Sequence, residues 1–151
     1  MSEDTKQLGQ LDITQLAFYL DKAKKIASVS KMMAGVYLQD LIVGQDIAGQ
    51  MLAKAIQADI KAKSKLDELE AIAYLDRASE YLKERNIKDS SEARKRYVDV
   101  DPDVIAAKDN KAKTEALVSL LKNKLNVLKM SHDDLKKINY GDNNMTQYEG
   151  V

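Results

Sequence analysis

The sequence has no cysteine, a single proline and a single histidine. Without cysteine there is no disulfide, no thiolate nucleophile and no cysteine metal site. His132 alone cannot supply a constellation that needs two histidines. No run approaches the roughly twenty apolar residues that span a bilayer, and the N-terminus lacks a charged segment followed by an apolar core. A soluble, cytoplasmic protein with no membrane partner is therefore expected. Net charge of one sign is missing as well, since 24 basic residues face 24 acidic ones. Such a chain is not a polyanion trap as a whole, and any nucleic acid must be held by a local patch.

What is present favours helices. Six glycines, one proline and a charged fraction of 32% rich in Lys, Asp and Glu, with abundant Ala and Leu, describe an all-α chain with almost no strand. The expected architecture is an elongated helical protein of long amphipathic helices in a hairpin or bundle, oligomeric in use. A single helical domain over residues 11–138 would lie between a flexible arm, 1–10, and a disordered tail, 139–151.

Asp12 or Thr14 can cap a first helix carrying Leu16, Leu20 and Ala23 on one face. Ser28-Val29-Ser30 reads either as a turn or as a continuation. From Lys31 to Gln50 the spacing is helical but apolar nearly all round, with Met32, Met33, Val36 and Leu41 among few charges. Gly35, Gly44 and Gly49 each weaken an isolated helix by about 1 kcal/mol, so a packing reason is expected. It is either an ordinary core or a subunit interface. A long helix follows to Arg85, in which Lys61, Lys63 and Lys65 are balanced by Asp67, Glu68 and Glu70. Whether residues 12–85 form one helix or several stays open.

The break near 86–91 offers Asn86 as a helix end and Ser90 or Ser91 as the cap of a short helix holding Glu92 to Tyr97. Asp101-Pro102-Asp103 then has the grammar of a helix start: a capping carboxylate, a proline at the first position and an acid facing the dipole. The last helix should run over 102–138. Leu121, Leu128 and Leu135 stand one heptad apart on it, a seam for a partner helix interrupted by Lys124 and Ser131.

Catalytic patterns are weak. His132-Asp133-Asp134 are neighbours that point different ways on a helix, so no metal site is expected. Asp99, Asp101 and Asp103 alternate like a calcium loop but lack its glycine and distal glutamate. No phosphate-cradling glycine loop is present. The chain is expected to be non-enzymatic, with no cofactor.

Binding remains. Arg94, Lys95 and Arg96 stand beside Tyr97, and the last helix adds Lys122, Lys124, Lys129, Lys136 and Lys137. These are the candidate nucleic-acid contacts, the lysines for phosphates and the tyrosine for a stacked base. Met32, Met33, Val36, Leu41, Leu121, Leu128 and Leu135 are the candidate oligomer interface.

The string Tyr97-Val98-Asp99-Val100-Asp101-Pro102-Asp103-Val104, followed by a long amphipathic helix ending in Leu135-Lys136-Lys137-Ile138, is similar to the C-terminal half of the UvsY family, the recombination mediators of T-even and related phages. The likeness covers roughly 94–138. It implies an all-helical, non-enzymatic protein that forms a ring of identical subunits, binds single-stranded DNA and helps load a recombinase onto strands coated by a single-strand-binding protein. Asp101, Pro102 and Asp103 would then be structural, and Arg94, Lys95 and Arg96 DNA contacts. The basic-aromatic segment expected near the end of the last helix is replaced here by Met130 to Asp134. The competing readings are a helical phage structural or assembly protein without nucleic-acid binding, and a small regulator acting through its helical seam on one partner.

Overall fold

The computed structural model describes residues 14–141, with side chains as far as Tyr140. Every element among them is helical and there is no strand. Helix α1 spans Thr14–Lys24, α2 Lys31–Ile72, α3 Ala78–Glu84, α4 Ser91–Val100 and α5 Pro102–Gly141. A π-helical turn, Ala73–Arg77, joins α2 to α3, making one continuous helical run of 54 residues. The question of one rod or several over 12–85 is answered by a break at Val29 and Ser30, after a 3-10 turn at Ile26–Ser28. Ser28 there donates its hydroxyl hydrogen to the Lys25 carbonyl, the local competition that unravels helices at serine. The arm 1–10 and most of the tail 139–151 lie outside the described residues. Residues 139–141, assigned to the tail from sequence, continue α5.

Helix ends follow their side chains. Asn86 takes φ 53°, and the Ile87 and Asn86 N–H groups return to the Leu82 and Lys83 carbonyls, a left-handed cap that closes α3. The Ser90 side chain accepts from the Ala93 N–H at 3.2 Å and starts α4. At the head of α5, one Asp101 carboxylate oxygen accepts from the backbone N–H groups of Asp103 and Val104, at 3.0 and 3.1 Å. Asp101 is fully buried.

Where the sequence suggested a single domain over 11–138, contacts group the chain into two compact units. The first holds residues up to 54 and from 119 onward; the second holds 55–118. The sequence hides the boundary because α2 repeats a buried small or leucine position every seven residues straight through it. Ala34, Leu41 and Ala48 lie in the first unit, and Ala55 and Ala62 in the second. Within the first unit α5 answers with Leu121, Leu128 and Leu135, all buried, each worth about 2 kcal/mol relative to exposure.

Also in the first unit, α1 runs antiparallel to the start of α2. Lys22 pairs with Asp40, and Tyr19 lies against Gly44, where a methyl group would stand 2.7 Å from the Tyr19 Cβ. Gly44 therefore has the packing reason expected of it. Gly35 and Gly49 do not, since nothing in the chain lies within 4 Å of a Cβ added to either. In the second unit, Asp59 accepts from Lys111 and from the Thr114 hydroxyl at 2.8 Å each, and Glu70 pairs with Lys108. Partner numbers rise along α2 as they fall along α5, so these segments are antiparallel.

Candidate nucleic-acid interface

Each unit carries part of the predicted site. In the second unit, the Arg94-Lys95-Arg96-Tyr97 cluster on α4 is not a free basic patch. Arg94 donates twice to Asp89 at 2.7 Å and once to the Tyr74 carbonyl at 3.1 Å. This fork anchors the 86–90 link, and the Asp89 contact holds the guanidinium above its ordinary pKa while drawing Asp89 below the usual carboxylate range. Tyr97 donates its hydroxyl to Asp101 at 2.9 Å and sets its ring 4.7 Å from that of Tyr81. Burial first, and the Asp101 contact second, push the Tyr97 phenol up. Arg94 is committed to the fold, so the structure corrects its assignment as a DNA contact, whereas Tyr97 commits its hydroxyl and leaves its ring lining a cleft beside α4. Helical spacing explains the error: consecutive residues on α4 face different neighbours.

Arg96 and Lys95 remain outward. Arg96 makes only an exposed i,i+4 pair with Glu92, at 2.6 Å, of a kind worth about 0.3–0.5 kcal/mol. Lys95 has no ion-pair partner among the described residues.

Behind α4 lies a hub that sequence reasoning reduced to a cap. The π turn brings Arg77 toward Asp103, at 2.5 Å, and toward Asp101, at 3.3 Å. Asp101 thus serves two backbone N–H groups, Tyr97 and Arg77 together. The Asp103 hydrogen bond, and the Asp101 charge after it, raise the Arg77 pKa. No pattern in the sequence signals the π turn or Arg77's destination.

The first unit presents the opposite surface. Over residues 14–54 and 119–141 it has ten lysines against five aspartates and no arginine, a net charge of +5, whereas residues 55–118 have thirteen basic groups against fourteen acidic ones. Lys122, Lys129 and Lys136 are exposed and lie one heptad apart on α5, with about 10 Å between neighbours. Neither these three nor the half-buried Lys124 makes an ion pair with a described residue; Lys137 pairs with Asp134 at 3.2 Å. His132 lies 3.3 Å from Asp133, and no cluster of metal-ligating side chains occurs among the described residues.

The predicted oligomer residues also divide. Leu41, Leu121, Leu128 and Leu135 are 0–1% exposed within a single chain. They are core, which corrects their assignment to a subunit interface: the partner for the leucine seam is the same polypeptide. Met32, Met33 and Val36 are 87%, 41% and 50% exposed. Ile42 and Val43, of the same apolar run, join them on α2, and Asp46, hydrogen-bonded to Gln50 at 2.8 Å, is the one charge on the outward face between positions 32 and 50. No helix among the described residues is long and apolar enough to cross a membrane.

Comparison with protein-family models, curated protein sequences and solved structures returned no significant match.

Proposed function

We propose that this all-α protein is a non-enzymatic, homo-oligomeric binder of single-stranded DNA acting in the cytoplasm of the host cell, with the recombination-mediator task that the UvsY resemblance implies. The observation that carries the reading is the line of unpaired lysines at 122, 129 and 136 on a unit of net charge +5 in a chain that is neutral overall. Lysine heads of this kind displace counterions from a phosphate backbone, and repetition around an oligomer multiplies a weak patch. Met32, Met33 and Val36, exposed beside Ile42 and Val43, are the surface through which subunits would associate. Recombinase and single-strand-binding protein are the further partners the resemblance implies.

The test is fluorescence anisotropy of a labelled single strand, titrated at several salt concentrations with duplex as control. Binding should favour the single strand and weaken steeply with salt. Replacing Lys122, Lys129 and Lys136 together with glutamine should lower the slope of log K against log salt by about 2, at about 0.7 per phosphate contact. Because the three side chains are exposed, thermal stability should not move. Absence of binding at low salt would refute the reading. It would leave the helical assembly protein, which the exposed apolar face of α2 favours and which forms oligomers without salt-sensitive DNA binding.

A further inference from the structure

Between the end of α3 and the length of α4 lies an open cleft of about 500 Å³. It belongs wholly to the second unit. The adjacent rings of Tyr81 and Tyr97 line it together with the apolar side chains of Leu82, Ile87 and Val100. Ile87 and Val100 remain 46% and 56% exposed.

The walls are set before any ligand arrives. Asn86 closes α3 with a left-handed residue, Ser90 caps α4, and Arg94 clamps Asp89 between them. The Asp101 hydrogen bond fixes the Tyr97 ring, and Arg85 stacks 3.8 Å from the centre of the Tyr81 ring. Lys88, which has no ion-pair partner among the described residues, and Arg96 also line it, beside Glu92, the solvated partner of Arg96. A phosphate can take Arg96 from that pair at small cost.

We infer that this cavity receives one base of a single-stranded nucleic acid, stacked among the tyrosine and aliphatic walls, with the adjoining phosphate held by Lys88 and Arg96. Aromatic side chains accept any base by its flat face, and two lining cations against the single carboxylate of Glu92 match the charge that accompanies a nucleotide and no apolar peptide side chain. The inference rests on the proposed function and adds to it a second site, selective for bases, in a unit whose net charge gives no sign of one.

The test compares oligothymidylate with an abasic strand of equal length, following methyl resonances of Ile87 and Val100 by NMR and affinity by anisotropy. Oligothymidylate should shift both methyl groups and bind about tenfold tighter, whereas the abasic strand should bind through phosphates alone and leave the methyls unmoved. Ala93→Leu, which fills the cavity from a helical position without changing charge, should erase the difference and keep the abasic affinity. Val100→Ser, at an exposed helix end, should reduce it while the circular dichroism stays native. Equal binding of both strands with unmoved methyls overturns the inference and leaves the proposed function standing. A base-dependent difference that survives Ala93→Leu overturns it too. Failure of both strands to bind at low salt overturns both.

Discussion

In the unit formed by residues 55–118, Arg94 spends its planar donors on Asp89 and a backbone carbonyl, Arg77 reaches Asp101 and Asp103 through one guanidinium nitrogen, and Tyr97 and Thr114 spend their hydroxyls on Asp101 and Asp59. In the other unit the cations are all lysines, those at 122, 124, 129 and 136 have no described partner, and cohesion comes from Leu16, Leu41, Leu121, Leu128 and Leu135. Arginine suits the first use because its fork matches carboxylates at fixed geometry; lysine suits the second because a solvated point charge on a flexible stem loses little by meeting a phosphate. The polar unit spends Arg77 and Arg94 on its fold, and the leucine unit leaves four lysines of α5 without an ion pair. The lysines at 122, 129 and 136 therefore stay open to solvent, while Arg94, basic as it looks, is structural.

The largest expected effect falls on the polar unit. Asp101→Ala removes a helix cap and strands the Tyr97 hydroxyl and part of the Arg77 charge, a loss of about 3 kcal/mol or more, seen as a marked fall in the thermal midpoint. A loss under about 1 kcal/mol would mean that the hub contributes no more than an ordinary surface cap, and the contrast between the units would weaken.

A smaller effect with a change of sign separates three glycines of the other unit. Gly44→Ala drives a methyl into Tyr19 and should cost about 1–3 kcal/mol. Gly35→Ala and Gly49→Ala meet open space and should each stabilise the monomer by about 1 kcal/mol through helix propensity alone. Both sets are read by chemical denaturation at low protein concentration. If the protein sediments as an oligomer and either of the latter substitutions dissociates it, a second helix approaches α2 closely at that point, and the apolar face is an interface in use.

The legible parts of this molecule were those whose cause is local. Asp101-Pro102-Asp103, Ser90 and Asn86 act on backbone groups within a few residues, so their roles could be read from spacing, and so could the all-helical class and the heptad of Leu121, Leu128 and Leu135. What the leucines pack against could not be read, because a seam for a partner helix looks the same whether the partner is in another chain or earlier in this one. Arg94 was misplaced for a related reason, since Tyr74 stands 20 residues before it, and the tie of the Tyr97 hydroxyl to an Asp101 that also serves Arg77 from across the π turn was equally hidden. Gly35, Gly44 and Gly49 are equivalent in sequence, and only the position of Tyr19 sets one apart. Nor could the cavity beside Tyr97 be foreseen, since its walls come from both sides of the 86–90 link.

The smallest effect is a pH response confined mainly to the polar unit. Burial and the Asp101 contact hold the Tyr97 phenol above its ordinary value near 10, so the folded state favours the neutral ring. Its contribution to stability is complete below the unfolded value and is lost as pH rises through the folded one. Lys111 acts in the same direction, its pKa raised chiefly by the hydrogen bond to Asp59, so that this tie too is lost as the amine deprotonates. In the other unit the corresponding shift, Lys25 beside Asp21, belongs to a pair more than half exposed, where solvent screens its effect on stability. Of the seven tyrosines, Tyr97 should therefore ionise late. In a spectrophotometric titration of phenolate absorbance, part of the signal should appear only at higher pH and disappear in Tyr97→Phe. If that late part persists in the variant, a different tyrosine is the protected one, and the hub around Asp101 does not hold its ring as tightly as the distances imply.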